Sequence, residues 1–278
     1  MIGVFDSGFG GLTIHRALIG ALPEKDFVYL GDNKNAPYGT RPPIEVLTLT
    51  CAGLEVLFEQ GCTLVIVACN TASVVALRWI QQQWLQPRIR KDGIKRNVIG
   101  IVVPTIETVT GVQWNEEAKV GGGGTVAVFA TARTVETGNY PFEIKKRRPD
   151  IHVVQQACPA LAGAIEAGAG HDALKKLVSE YVQAAEEQLG GQVPDSVILG
   201  CTHYPLVSDI FTEVLPQGVQ IISQPEATAA ALGTYLEKHP EFEVSAGGKR
   251  LFLSTGYVKE AMPLIEKFWG GKPEFQLV

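Results

Sequence analysis

No apolar run in the 278 residues approaches the roughly 20 that a bilayer-spanning helix needs, and the first strand meets a charge at Asp6, unlike a secretory leader. A cytoplasmic chain with no membrane partner is therefore expected. Positive charge is not in excess either: 24 Lys and Arg face 29 Asp and Glu, for a net charge of −5. No overall field recruits nucleic acid, so a substrate's charge has to be met locally. The five cysteines, Cys51, Cys62, Cys69, Cys158 and Cys201, are odd in number and lack any C-x-x-C, which argues against a disulfide framework and a zinc knuckle. His15, His152, His171 and His239 lack paired ligand spacing, and no metal is expected. A dinucleotide fingerprint needs glycine at position 13, which is threonine, and the Gly-Lys-Ser/Thr of a phosphate loop is missing. With no pyridoxal-type lysine motif as well, the expected cofactor is none.

What the chain does have is apolar content, 46% with a mean hydropathy of +0.12, enough for one large core or two ordinary ones. Short β-branched runs alternate with helical patterns throughout, the signature of βαβ units and parallel sheets. Strands are expected at 2–5, 27–30, 64–68, 98–102, 125–129, 152–154, 196–199, 219–222 and 250–253. The clearest helix is 172–189, where Leu174, Leu177, Val178, Tyr181, Val182 and Ala185 recur near every 3.6 residues. The basic run of Arg88, Arg90, Lys91, Lys95 and Arg96 reads as a solvated connection.

Two stretches, Val65-Ile66-Val67-Ala68-Cys69-Asn70-Thr71 and Val197-Ile198-Leu199-Gly200-Cys201-Thr202-His203, each end an apolar strand in a cysteine followed by small hydrogen-bonding residues. Ligands of parallel α/β sheets bind outside the carboxyl ends of strands, so both sulfurs are expected to face a crevice. Each is preceded at a similar distance by a related strand, Gly3-Val4-Phe5-Asp6 and Ala127-Val128-Phe129-Ala130, which hints at duplication. The expected architecture is α/β: two pseudo-symmetric lobes, each a mainly parallel sheet flanked by helices, with the site in a cleft between them. The first lobe takes 1–104 plus 219–278 and carries Cys69; the second takes 105–218 and carries Cys201, the break falling near Pro104 and the run Gly121-Gly122-Gly123-Gly124. The strand at Val219 is expected to return the chain to the first lobe.

A matched pair of thiols suggests proton transfer on two sides of one carbon, since a thiol with an ordinary pKa near 8.5 becomes a usable base with modest tuning. Packing remains the commoner fate of a buried cysteine, and Cys51 and Cys62 read as small core hydrophobes. Asp6-Ser7-Gly8-Phe9-Gly10-Gly11 opens a helix and suits a carboxylate, with Ser7 as hydroxyl donor; equally, Asp6 or Ser7 serves as a helix cap. Asp6 near Cys69 disfavours the thiolate by repulsion, so accepting a proton or holding an ammonium suits it better. Gly31-Asp32-Asn33 and Ala36-Pro37-Tyr38-Gly39 share one loop, whose turn offers donors to a small polar ligand or serves only as a turn. His203 either works with Cys201, as orienter or as proton donor, or is a structural hydrogen-bonder.

At these residues the chain resembles the cofactor-independent glutamate racemase family. The likeness runs through Phe5-Asp6-Ser7-Gly8, Gly31-Asp32, Ala36-Pro37-Tyr38-Gly39, Ala68-Cys69-Asn70-Thr71-Ala72-Ser73, Ala157-Cys158-Pro159 with Glu166, and Leu199-Gly200-Cys201-Thr202-His203-Tyr204-Pro205. It departs at Asn33-Lys34-Asn35, at Val103-Pro104-Thr105 and in a long connection over 84–96. The resemblance implies that Cys69 takes the α-proton from D-glutamate and Cys201 from L-glutamate. It implies that Asp6 assists Cys69 and that His203 and Glu166 stand near Cys201. Substrate would be held by Ser7, Asp32, Pro37, Tyr38, Gly39, Asn70, Thr71 and Thr202, the product would feed peptidoglycan synthesis, and the protein would be a homodimer. Alternatives are an aspartate or other amino-acid racemase of the family, a single-cysteine enzyme using Cys201 with His203, and a non-catalytic amino-acid-binding protein.

Overall fold

Ile2-Gly3-Val4-Phe5-Asp6 is buried at every position, as are Leu64–Val67 and Ser196–Gly200, which is what a parallel strand covered by helices on both faces requires. In the computed structural model, which describes residues 1–242 and 247–278, these runs sit inside two all-parallel sheets. The chain divides into two units, Met1–Ile101 with Pro225–Val278, and Val102–Gln224.

The first unit begins β1 (Ile2–Asp6), α1 (Leu12–Ala21), β2 (Phe27–Gly31), α2 (Pro43–Glu59), β3 (Leu64–Val67), α3 (Asn70–Trp79), α4 (Leu85–Asp92) and β4 (Asn97–Gly100). The second holds α5 (Val102–Thr110), β5 (Gly124–Ala130), α6 (Ala132–Glu136), α7 (Asn139–Arg147), β6 (Ile151–Ala157), α8 (Leu161–Glu166), α9 (His171–Gln188), β7 (Ser196–Gly200), α10 (Ser208–Val214) and β8 (Gln220–Ile222). Helix α11 (Gln224–Lys238) starts on the second unit's last residue; β9 (Arg250–Ser254), α12 (Met262–Trp269) and β10 (Phe275–Leu277) complete the first.

The six-stranded sheet is ordered β10-β9-β2-β1-β3-β4 and the four-stranded one β6-β5-β7-β8. Within each, the strand that opens the motif (β1 or β5) lies beside the strand that leads to a cysteine (β3 or β7), in register Phe5↔Val67 and Ala130↔Gly200. Helix α9 packs Leu174, Val178, Val182 and Ala185 into the second unit's core, and each large aliphatic side chain so buried contributes roughly 1.5–3 kcal/mol.

Three expectations need correction. The strand at 219–222 does not lead back to the first sheet: β8 pairs with β7 through Ser196↔Gln220 to Ile198↔Ile222, so the crossing falls after Gln224. Apolar content makes a strand but does not say which edge it joins. The first crossing between units also comes earlier than 104, between Ile101 and Val102, and α5 begins at Val102, the last residue of the expected strand. Finally, the basic run is not merely a solvated connection. After a π-helical turn over Ile80–Trp84 its first three residues, Arg88, Arg90 and Lys91, lie on α4, where the Arg88 guanidinium lies 3.6 Å from the Trp84 ring centroid and its Nε donates to Glu55 at 2.9 Å.

Candidate active site

In the first unit, the loops after β1, β2 and β3 are stitched together at the carboxyl edge: Asp32 N–H donates to the Asp6 carbonyl at 2.9 Å and Ala68 N–H to that of Phe5 at 2.8 Å. The approach is close. A Cβ on Gly11 would lie 2.5 Å from that of Asp6, and one on Gly31 would lie 2.5 Å from the Gly8 carbonyl oxygen, so neither glycine tolerates a side chain. Cys69 follows β3 and is the N-cap of α3, its sulfur accepting from Ala72 N–H at 3.4 Å and from Ser7 Oγ at 3.3 Å. A helix amino terminus and a hydroxyl both favour a negative sulfur. Asn70 and Thr71, the first residues of α3, are buried beside it.

Asp6 Oδ2 accepts from the backbone N–H groups of Gly8 and Gly11, at 3.1 and 3.0 Å, so this carboxylate shapes the loop at the start of α1 as well as standing at the edge near Cys69. The Asp32 carboxylate is bonded by three neighbouring side chains. Tyr38 O–H and Asn35 Nδ2 donate to its Oδ2 at 2.6 and 3.2 Å, and Thr255 Oγ1 and Asn35 Nδ2 to its Oδ1 at 2.6 and 2.9 Å. It holds the loop rather than offering an oxygen outward. Burial, then the Asp32 carboxylate, then the charges of Cys69 and Asp6 push the Tyr38 phenol far above its ordinary value, so Tyr38 is a hydroxyl donor within electrostatic reach of the thiol. Gly39 is buried next to it, while Pro37 is exposed and contributes the cis Ala36–Pro37 turn. The departure at 33–35 is a 3-10 turn pinned to the end of β9, with Asn33 Nδ2 on Ser254 Oγ at 2.6 Å and Lys34 N–H on Thr255 Oγ1 at 3.2 Å.

In the second unit the same edge is built differently. Cys201 follows β7, and His203 Nδ1 lies 3.8 Å from its sulfur while Nε2 is 2.6 Å from Glu166 Oε1, at the end of α8. Burial would lower the His203 pKa, but the hydrogen bonds and charges of Cys201 and Glu166 outweigh it and raise it to about 10, so the ring is an imidazolium at neutral pH. Thr202 is buried between them. Tyr204 O–H donates to the Cys158 carbonyl at 3.2 Å, tying the loop after β7 to the loop after β6. Of the other thiols, Cys51 and Cys62 are raised by burial to about 11 and about 12, which suits packing.

The edge thus places Asp6, Ser7, Asn70, Thr71 and Tyr38 around Cys69, and Thr202, His203 and Glu166 around Cys201. Sequence reasoning missed four neighbours. Thr131, whose hydroxyl lies 3.1 Å from that of Thr134 and accepts from the Thr134 N–H, caps α6 directly after β5, and following the suspected duplication one residue past Ala130 finds it. Tyr29, donating to the Gly8 carbonyl at 2.7 Å, and Thr255, 223 positions from Asp32, left no local signal.

A thiol at each of two equivalent strand ends, beside a group that favours its anion, has the chemistry to take up or give back a proton. The Asp/Glu/Hydantoin racemase model matches residues 13–232. The chain belongs to that racemase family. By class it is therefore an isomerase. Among its relatives, the glutamate racemase of Phenylobacterium zucineum is 51% identical over 280 residues and that of a Caulobacter species 49% identical, each alignment covering 99% of both chains. Among solved structures, a Francisella tularensis glutamate racemase in complex with D-glutamate superposes with a TM-score of 0.82 at 27% identity, covering 100% of this chain and 96% of that one. The racemase fold, two parallel sheets flanked by helices, is the α/β architecture described above.

Proposed function

We propose that the chain interconverts L- and D-glutamate without a cofactor, Cys69 serving one face of the α-carbon and Cys201 the other. The observation that carries this reading is the recurrence of one placement, a thiol within two residues of the end of β3 and again of β7, each with its own partner for the anion. A thiolate at Cys201 removes the α-proton of L-glutamate and the Cys69 thiol returns one from the opposite side; D-glutamate is handled in reverse. Ser7, Tyr38, Gly39, Asn70, Thr71 and Thr202 hold the substrate's polar groups, with Asp32 and Pro37 shaping the turn that presents Tyr38. The α-proton is weakly acidic, so most of the barrier is lowered by donors preorganised around the carboxylate. Asp6 relays a proton to or from Cys69, and Glu166 holds His203 against Cys201.

The relatives' names support glutamate as substrate, and the resemblance supports a homodimer in the cytoplasm that supplies D-glutamate for peptidoglycan. The test is α-hydrogen exchange of each glutamate enantiomer in heavy water with the purified protein and no additive. Deuterium should enter both enantiomers as the mixture racemises. Exchange of aspartate with none of glutamate would move the substrate; binding with no exchange would reduce the chain to a binding protein.

A further inference from the structure

The loop that brings Ser7 to Cys69 turns on a glycine, and that glycine is gripped on both sides. Gly8 N–H donates to Asp6 Oδ2 at 3.1 Å, and the Gly8 carbonyl accepts from Tyr29 O–H at 2.7 Å. A glycine left to itself rotates freely about both of its backbone bonds. With its N–H and its carbonyl both held, the peptide plane it shares with Ser7 is fixed. So is the direction in which the Ser7 hydroxyl leaves the chain, and it ends 3.3 Å from the Cys69 sulfur.

Strand β2 is shaped around that carbonyl. Positions 29 and 31 lie on one face of the strand, two residues apart. Tyr29 bonds the Gly8 oxygen, and Gly31 leaves it room, since a Cβ at position 31 would stand 2.5 Å from it. The Tyr29 ring is fully buried and packed by His15, Phe252 and Phe275, at centroid distances of 5.3, 6.4 and 6.4 Å, so its one polar atom has a set direction. Burial, followed by negative charge at Asp6 and Cys69, pushes the phenol well above its ordinary value, and it remains a donor while the thiols exchange protons.

We propose, on the basis of the two-thiol reading above, that Tyr29 is a positioning residue for the Cys69 half of the reaction: its hydroxyl fixes the Gly8 carbonyl and thereby holds Ser7 against the sulfur. It acts through Ser7 and not on the sulfur itself. Without this hold the glycine turns, the Ser7 hydroxyl drifts, and the transition state at Cys69 is harder to reach while that at Cys201 is unchanged.

The two enantiomers have equal free energies in solution, so kcat/KM must fall equally in both directions whichever thiol is weakened. The asymmetry appears in the isotope effect instead. Tyr29→Phe, which removes one oxygen and keeps the ring, is expected to lower kcat/KM by about 5-fold. It should raise the deuterium isotope effect on kcat/KM with α-deuterated D-glutamate and drive that with α-deuterated L-glutamate toward unity. Added to Ser7→Ala it should cost nothing more, because the phenol acts only through Ser7. His15→Leu disturbs the same aromatic packing but leaves the Tyr29–Gly8 bond, and should leave both isotope effects unchanged. If Tyr29→Phe does not fold alone, the comparison is made in the His15→Leu background. That background removes two buried ring nitrogens with no partner among the described residues, which offsets the lost bond. Unchanged isotope effects in Tyr29→Phe, equal changes for both enantiomers, a loss that multiplies with that of Ser7→Ala, or the same pattern from His15→Leu alone would overturn the proposal while the racemase reading stands. A wild-type protein that exchanges no α-hydrogen would instead remove the racemase reading itself.

Discussion

The two thiols occupy matching places and are supported by different physics. Cys69 leans on neutral partners, the Ser7 hydroxyl and the amino end of α3 through Ala72 N–H. Cys201 leans on an ion, the His203 imidazolium that Glu166 holds in place. One sheet edge thus poises a sulfur with fixed dipoles and the other with a group that titrates. The lesson is that two sheets can place a sulfur alike and still meet its charge differently. The supports are therefore separable by pH and by mutation.

The largest break comes from the sulfurs themselves. Cys69→Ala and Cys201→Ala should each lower racemisation by about 10³-fold or more, the range lost with a positioned base. Solvent deuterium should still wash into one enantiomer in each variant, D-glutamate with Cys201→Ala and L-glutamate with Cys69→Ala; full activity in Cys69→Ala would establish a single-cysteine enzyme.

Removing the ionic support is next. His203→Gln should cost about 10²-fold in kcat/KM, measured by circular dichroism of the product. The same residue gives a stability signature. Its folded pKa of about 10 stands above the ordinary 6.5, so the contribution is full below about pH 6.5 and is lost as pH rises through about 10. The difference in unfolding free energy between wild type and His203→Gln should shrink across that window. A flat difference would show that the ring carries no extra proton in the fold.

Removing the neutral support should cost less. Ser7→Ala is expected to lower kcat/KM by about 10-fold, one hydrogen bond to an anion, and to raise the isotope effect for α-deuterated D-glutamate rather than L. The smallest effect is expected from Thr255→Val, which takes one of the bonds from Asp32. It should lose about 1 kcal/mol of stability by urea titration and raise KM two- to threefold through a looser Tyr38, with kcat nearly unchanged.

Much of this was legible before any coordinates. The buried runs of β1, β3, β5 and β7 announce a parallel sheet because strands covered on both faces cannot alternate, and a cysteine ending two of them marks the edge where ligands bind. Strand membership was not legible for β8, a short strand whose two isoleucines, Ile221 and Ile222, suit the edge of either sheet. The strand β10 was missed because Phe275–Leu277 is a short edge piece with little burial. The Asp32 clamp depends on Thr255, and the Tyr140 hydroxyl accepts from Gln224, pairings 223 and 84 positions apart that no local pattern encodes. Glu166 came from family likeness; nothing in its own surroundings in the chain pairs it with a histidine 37 positions away.

Because the Cys69 sulfur is also the N-cap of α3, an alkylating inhibitor that captures it takes two things at once. The thioether no longer offers a charged acceptor to Ala72 N–H, so the turn bearing Asn70 and Thr71 loses its anchor along with the base. Capture of Cys201, which is followed by the short 3-10 turn Tyr204–Val207 and caps no long helix, takes the sulfur and its contact with His203 but no helix anchor. A warhead aimed at Cys69 should therefore leave an adduct that melts earlier, whereas its counterpart at Cys201 leaves a dead but intact fold.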